Sequence, residues 1–321
     1  MNFVERLLRC DLGVLPYNSI VSNDGMIQYY NWWDTNDSEA IWFTSFLRKH
    51  SLLNKKINFF SVFGSPHYIK RKVAKEKSSI NIFFTGENVS KTGISRRFRR
   101  YEDHMLDVID LSLGFSYRAE ENYLRFPLWI MYLFKPDASF EDINKKIKEI
   151  NTSKVDFSRR NIDCAVIARH DSNGIRGRIC DSLSEYFDIK YEGSWRNNSR
   201  LLKEEYGDNK FKYLSHTKFN ICPENADEPG YVTEKIFGAF CAKTIPIYWG
   251  AGACPEEKIL NQNAFLYWND SSQFYKELEM LYKNEKEYLD FISQPIFKEG
   301  ADEIIWGHFD SLKNHIENLM D

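Results

Sequence analysis

Residues Lys218 to Gly250 read KFNICPENADEPGYVTEKIFGAFCAKTIPIYWG. Lys218 to Cys222 is a short apolar-leaning run. Pro223 to Gly230 collects acids, Asn, Pro and Gly, the composition of a loop. From Tyr231 to Lys243 the apolar residues Val232, Ile236, Ala239 and Phe240 share one helical face. Thr244 to Trp249 is β-branched and aromatic, and Gly250 closes it. Strand, loop, helix and strand in that order predict a parallel β-α-β unit of an α/β fold. In such units ligands sit beyond the carboxyl ends of the strands. That place holds Glu224, Asn225, Tyr231, Thr233, Glu234 and Lys235. Polar groups gathered at a helix start suit an anion or a nucleotide. A capped surface helix behind a solvated acidic loop has the same pattern, and the pattern alone does not choose between them.

Moving outward, the alternation continues. Met26 to Trp33 (MIQYYNWW), Ile57 to Phe63, Ile80 to Asn88 and Asp163 to Ala168 read as strands, and Ala264 to Trp268 as another. Glu39 to Arg48, Ile175 to Phe187, Ser271 to Asn284 and Glu285 to Phe291 read as helices, with a terminal helix pair over Gln294 to Asp321 and a short amphipathic helix over Met1 to Cys10. The charged Asp137 to Asn151 suits a peripheral helix leading to a linker, which puts a boundary near residue 155: an N-terminal domain 1–155 and a C-terminal domain 156–321 whose last segment returns to the first. The apolar run Ile80 to Phe84 delivers Thr85-Gly86-Glu87-Asn88 to the carboxyl edge of its sheet, so Glu87 is a carboxylate on a rigid strand end. Gly86 permits a sharp turn or the close approach of a ligand. Trp32 and Trp33 end another strand; one fits core packing, and the other has a flat apolar face that matches the C–H groups of a pyranose. Arg176 in the first turn of its helix has the wrong sign for the positive helix end, which a nearby anion would explain.

These residues carry a resemblance. Glu224-Asn225, the run Tyr231-Val232-Thr233-Glu234-Lys235 and Thr244-Ile245-Pro246-Ile247-Tyr248-Trp249-Gly250 resemble the donor-binding motif of the α1,3/α1,4-fucosyltransferases, glycosyltransferase family ten. Asn31-Trp32-Trp33, Val62-Phe63-Gly64-Ser65-Pro66, Thr85-Gly86-Glu87-Asn88 and Tyr123-Leu124-Arg125-Phe126-Pro127-Leu128 are similar to further segments of its bacterial branch, which includes the Helicobacter enzymes that fucosylate lipopolysaccharide. The likeness covers most of Met26 to Leu266. It departs from the family at Pro223, where an aromatic residue is common, and in Ser90 to His104, where Arg96, Arg97, Arg99 and Arg100 look like an insertion. That insertion reads either as a solvated basic surface or as a patch for anionic lipopolysaccharide or a membrane.

The resemblance implies a GT-B type fold, two Rossmann-like domains facing a central cleft. It implies an inverting transfer of L-fucose from GDP-β-L-fucose to the GlcNAc of a galactose–GlcNAc acceptor in a surface glycan such as lipopolysaccharide O-antigen. Glu87 would be the general base. Arg176 and Lys235 would hold the diphosphate. Asn225, Tyr231, Thr233 and Glu234 would contact the nucleoside or the fucose, Glu234 also being placed to offset oxocarbenium charge. Ser194 and Arg196 lie in a loop, Gly193 to Asn198, that resembles one near the nucleotide. Trp32, Trp33 and Arg125 are the acceptor candidates, a structural ion pair being the equal alternative for Arg125. A non-catalytic glycan- or lipopolysaccharide-binding module and a transferase using another GDP-sugar or acceptor remain as alternatives.

Composition sets outer limits. With 321 residues, 43% hydrophobic and 28% charged, the chain is an ordinary globular protein large enough for two domains. A net charge of −3 carries no general nucleic-acid signature. The six cysteines have no C-x-x-C pair, which suits reduced thiols in a cytosol. The first twenty residues lack a signal-peptide pattern, and no run of about twenty apolar residues is present, so the expectation is a cytoplasmic protein at most peripheral to the inner membrane. Asn36-Asp37-Ser38 then reads as a chance glycosylation triplet. No Asp-x-Asp and no His-Glu-x-x-His occurs, so no essential metal and no cofactor are expected beyond the GDP-fucose donor.

Overall fold

A computed structural model describes residues 3–33 and 36–321. It divides into two compact units, residues 1–139 with 305–321, and residues 140–304. The expected division at 155 falls inside the second unit for a packing reason. The helix Phe140–Thr152 buries Ile143, Ile147 and Ile150. The Asn151 side chain also closes on the backbone near the far end of that unit, accepting from Ile296 N and Phe297 N at 2.9 Å each and donating to Phe297 O at 3.0 Å.

The first unit is built on six strands, β1 (Ser19–Val21), β2 (Ile27–Tyr30), β3 (Ile57–Phe60), β4 (Ile80–Phe84), β5 (Leu111–Gly114) and β6 (Tyr123–Arg125). They lie in sequential order, parallel from β2 onward, with β1 antiparallel at one edge. Alternation along the strands gives two apolar faces. Phe59 and Phe84 meet Phe43 of the helix Trp42–Lys49 on one, with ring centroids of Phe43 and Phe59 4.9 Å apart, and Tyr29 stacks on Phe59. Tyr30, Phe60 and Phe83 meet Ile69 of the helix Pro66–Lys75 on the other. Because the strands step in one direction while these two crossovers pass over opposite faces, the crossovers have opposite hand, and one departs from the right-handed rule. From Ile305 onward the helix Ala301–Met320 belongs to this unit, where Phe309 packs on Trp42 and Phe126. The expected terminal helix pair is thus one helix, which starts after the turn at Gly300. The N-terminal helix runs Phe3–Asp11; Met1 and Asn2 of the expected span, and Asp34 of the turn after Trp33, lie outside the described residues.

The second unit holds five parallel strands, β7 (Ile162–Ile167), β8 (Ile189–Glu192), β9 (Thr217–Ile221), β10 (Ile245–Tyr248) and β11 (Leu266–Tyr267), in the order β11-β10-β9-β7-β8. Counted within the unit, that is the doubly wound 2-1-3-4-5 arrangement, whose strand order reverses between β7 and β9. The helices Ile175–Leu183 and Ser272–Lys283 bury Ile179, Leu183, Phe274 and Leu278 with the sheet residues Val166, Phe219, Ile221 and Ile247. Among the described residues, no helix is long and apolar enough to cross a membrane.

Candidate active site

The reversal between β7 and β9 leaves a crevice at their carboxyl ends, and the loops that leave those ends are tied across it. After β7 the chain runs through His170 to Gly174 into the helix Ile175–Leu183; after β9 it passes Cys222 to Asn225. Asn173 Nδ2 donates to Asn225 O at 2.9 Å, and Arg176 donates to Asn225 Oδ1 at 2.8 Å and to His170 O at 2.9 Å. Arg176 is buried, 6% exposed, and both of these partners are neutral. The backbone donors at this helix start are already used by Asp171, whose carboxylate accepts from Arg176 N at 3.1 Å and Gly177 N at 2.8 Å.

The second helix start behaves alike. Glu224 has no exposed surface and accepts from Thr233 N at 2.8 Å, from Thr233 Oγ1 at 2.8 and 3.0 Å, and from Lys235 Nζ at 2.8 Å. Thr233 therefore caps rather than continues the turn, and the helix runs Glu234–Cys241 instead of beginning at Tyr231. A carboxylate of the chain itself thus stands at this helix start, on the N–H of the residue that precedes the helix. Gly250 makes room for it: its φ is +123°, and a Cβ there would lie 2.9 Å from Glu224 Cβ. Burial works against the Lys235 ammonium, yet the Glu224 and Glu234 carboxylates and the hydrogen bond to Glu224 outweigh it and hold its pKa above the ordinary lysine value, with Arg176 opposing.

A ligand at this edge meets side-chain charge set among apolar side chains such as Ile167, Phe211 and Leu214. A pocket of 220 Å³ is lined by Arg176, Lys210, Lys235, Glu234, Cys222 and Pro223. A wider polar cavity of 860 Å³ shares Ile167 and Lys210 with it and is lined by Arg169, Ser194, Asn197, Arg200 and Lys203. Of the predicted donor residues, Arg176, Lys235 and Glu234 reach the first pocket and Ser194 the second; Asn225 is the hydrogen-bond partner of Arg176. Tyr231 and Thr233 are buried, 2% and 3% exposed, and line neither. Arg196 is paired with Asp181 and lies over the Trp195 ring at 4.9 Å, outside both linings. The loop position is nevertheless constrained, because a Cβ at Gly193 would fall 2.4 Å from Ala168 O. Sequence reading missed Lys210, Arg169, Arg200 and Lys203. They sit in short polar segments without periodicity, and only the sheet order brings them to one edge.

In the first unit, the carboxyl ends of β2 and β4 carry the other candidates. Trp32 is buried at 1% exposure while Trp33 is 41% exposed, and the two indoles stack at 4.4 Å. Trp33 also meets Phe84, the last residue of β4, at 5.5 Å. Three residues on, Glu87 is half-buried and held by a tight turn in which Thr85 Oγ1 accepts from Glu87 N and donates to Glu87 O, both at 3.0 Å. The close approach that Gly86 permits is that of a side chain: a Cβ there would meet Leu128 at 2.8 Å. Leu128 in turn lines a pocket of 220 Å³ with Trp32, Trp33, Trp42, Asn36, Asp37 and Tyr132. Asn36 and Asp37, read in the sequence only as a chance triplet, are the polar groups of this aromatic pocket. Arg125 is held elsewhere, its Nε on Phe115 O at 2.9 Å and its guanidinium over the Tyr117 ring at 4.6 Å. The Arg97 side chain turns inward onto Phe63 O and over the Tyr17 ring, whereas Arg96 and Arg100 are exposed. Among the described residues no group of three or more His, Cys, Asp or Glu side chains could hold a metal ion.

Two family models match the chain. "Glycosyltransferase family 10 (fucosyltransferase) C-term" covers residues 157–294 and "Alpha-(1,3)-fucosyltransferase FucT N-terminal domain" covers residues 27–132. The chain belongs to glycosyltransferase family 10. Alpha-(1,3)-fucosyltransferase FucT of Helicobacter pylori is 26% identical over 297 residues, 82% of this chain and 58% of that one. Human 4-galactosyl-N-acetylglucosaminide 3-alpha-L-fucosyltransferase 9 is 26% identical over 143 residues, 42% of this chain and 37% of that one. The family 10 chain thus spans well under two thirds of the length of these relatives. Its fold is that of a crystal structure of α1,3-fucosyltransferase with GDP-fucose, matched with a TM-score of 0.56 at 21% identity over 92% of this chain and 89% of that one. The α/β architecture and the GT-B class follow from that fold, and the charged crevice between β7 and β9 lies in the segment matched by the family 10 C-terminal model.

Proposed function

We propose that this chain is an inverting α1,3-fucosyltransferase that moves L-fucose from GDP-β-L-fucose to the GlcNAc of a galactose–GlcNAc acceptor in a surface glycan. The carrying observation is the buried Arg176 guanidinium, whose hydrogen-bond partners among the described residues, His170 O and Asn225 Oδ1, are neutral, and which shares a pocket with Lys210 and Lys235 at the strand-order reversal. A buried cation with neutral partners is costly unless an anion completes it, and a nucleoside diphosphate does so. The name of the human relative and the GDP-fucose of the solved neighbour support the acceptor and the donor.

In this reading Glu87 removes the proton from the acceptor 3-hydroxyl, whose oxygen attacks the anomeric carbon as the bond to the diphosphate breaks. The β-linked sugar becomes α-linked. Arg176 and Lys235 stabilise the charge that develops on the departing GDP; the Glu224 pair fixes the Lys235 head group. Glu234 contacts the ribose or offsets oxocarbenium charge, Asn225 aims Arg176, and Ser194 and Arg196 shape the loop beside the nucleotide. Tyr231 and Thr233 act from beneath the pocket as packing and cap. Trp33 offers the sugar-stacking face, Trp32 supports it, and Arg125 orders the segment behind it. The reading needs no metal. The six cysteines are free, which fits a reducing, cytoplasmic compartment.

The test is transfer from GDP-fucose to N-acetyllactosamine in the presence of a chelator, with product mass by mass spectrometry and linkage and anomer by NMR. An α1,3-fucosylated product is expected. Absence of product together with tight GDP binding would move the assignment to another acceptor or GDP-sugar. Absence of both in a folded protein would overturn the donor-site assignment.

A further inference from the structure

Two segments of the first unit concentrate positive charge. Residues 66–77 carry Lys70, Arg71, Lys72, Lys75 and Lys77 against Glu76, and residues 90–103 carry Lys91, Arg96, Arg97, Arg99 and Arg100 against Glu102 and Asp103. Their ten cations and three acids give +7 in a chain of net charge −3, so the remaining residues sum to −10. The segments form one face: Ile69 and Val73 share a core with Phe98, Tyr101 and Met105, and Lys70 pairs with Asp107 at 2.7 Å. Lys72 pairs with Glu76 and Lys91 with Glu102. Arg71, Lys75, Lys77, Arg96 and Arg100 are exposed, with no acid among their described partners.

Exposed aliphatic side chains border the same cations. Leu12 is 68%, Val14 42% and Ile94 40% exposed. Gly13 fixes where the first two lie, because a Cβ there would be 2.7 Å from His67 Cβ and Tyr68 N, at the start of the helix Pro66–Lys75. Ile94 stands two residues before Arg96 in the basic loop. Tyr17 joins the two regions, its carbonyl accepting from Arg6 at 3.3 Å and its ring lying 5.3 Å beneath Arg97.

We propose that this face docks on an anionic bilayer surface, the exposed cations on phosphate head groups and Leu12, Val14 and Ile94 at the acyl boundary. Charge complementarity alone would also suit a soluble polyanion. The aliphatic side chains decide for the bilayer, because a wholly polar ligand gains nothing from them. Each cation near an anionic leaflet is worth roughly a fivefold gain in affinity, and two anchoring signals hold where one is marginal. The docking face lies away from the donor pocket residues in sequence and does not depend on the identity of the sugar transferred.

The test is sedimentation of the full chain with vesicles of phosphatidylcholine plus phosphatidylglycerol, against phosphatidylcholine alone. Binding to the first and not the second is expected, falling with salt. The fourfold variant Arg71→Gln, Lys77→Gln, Arg96→Gln, Arg100→Gln should weaken it by about tenfold or more, and Leu12→Ser with Ile94→Ser should weaken it while leaving binding to a single-stranded oligonucleotide unchanged. Both variants should keep GDP affinity and transfer to a soluble acceptor, which reports that they fold. No sedimentation with either vesicle, equal sedimentation with both, or vesicle binding indifferent to the aliphatic variant would overturn the proposal, the last reassigning the face to a soluble polyanion.

Discussion

The two sheets are made of the same parts and do different things with their carboxyl edges. In β11-β10-β9-β7-β8 the strand order reverses, so two loops diverge from neighbouring strands and leave a crevice where Arg176, Lys210, Glu234 and Lys235 stand on a partly apolar wall that includes Ile167, Phe211 and Leu214. In β1 to β6 the order never reverses, no crevice opens at a switch point, and the edge is closed over by aromatic rings from Trp32, Trp33, Phe84 and Trp42. Topology thus separates the chemistry. The reversing sheet can hold a diphosphate among fixed cations, while the sequential sheet offers a flat apolar platform and one carboxylate on a strand end. Beside this crevice, Asp171 accepts from the first-turn N–H groups of Arg176 and Gly177, and Glu224 accepts from Thr233 N just before the helix Glu234–Cys241, so carboxylates of the chain itself stand at the two helix starts that carry Arg176 and Lys235.

The comparison breaks most visibly at Glu87. If the first unit supplies only a base and a platform, Glu87→Gln should lower turnover by about 10²- to 10⁴-fold, with GDP affinity within about twofold of the parent by calorimetry, an arginine-and-lysine pocket being left intact. A loss of GDP affinity of the same size would merge the two roles that the sheets are argued to separate. The paired tryptophans sharpen the point. Trp32→Ala removes a buried ring and should cost about 3–5 kcal/mol of stability, read as a lower denaturant midpoint. Trp33→Ala should leave the midpoint nearly unchanged and raise the acceptor KM by roughly tenfold, the loss of one stacking contact of about 1–1.5 kcal/mol.

A smaller effect comes from the floor of the first sheet. Burial pulls the His104 pKa down from 6.5 to about 4, with Arg118 adding to the shift. The fold therefore favours neutral His104. That contribution is complete above pH 6.5 and is lost as pH falls from 6.5 through 4. His104→Leu should flatten the fall in Tm across that window, measured by thermal melting; an unchanged pH profile would remove His104 from the account of acid sensitivity.

Much of this was legible in the residues. The short apolar runs placed β2, β3, β4, β7, β9 and β10 within a few residues, because parallel strands buried on both faces read as near-continuous apolar stretches. Glu87, Arg176 and Lys235 were visible as charges delivered by apolar elements to strand ends. The limits are equally physical. The helix after β9 starts three residues later than periodicity suggests, since a buried carboxylate nine residues upstream captures Thr233. Phe140–Thr152 looked peripheral because its three isoleucines are few, yet all three are buried. Lys210 and Asn36 carry no local signal at all; each becomes part of a pocket only through strand order or through the packing of distant aromatic rings.

The most direct measurement is GDP titration calorimetry on Arg176→Ala beside Glu87→Gln, with circular dichroism to establish that both are folded. The account predicts that Arg176→Ala loses about 10²-fold or more in GDP affinity while Glu87→Gln binds GDP like the parent chain. GDP affinity unchanged by Arg176→Ala in the folded protein would contradict it, because the buried cation at the strand-order reversal would then have no part in holding the diphosphate.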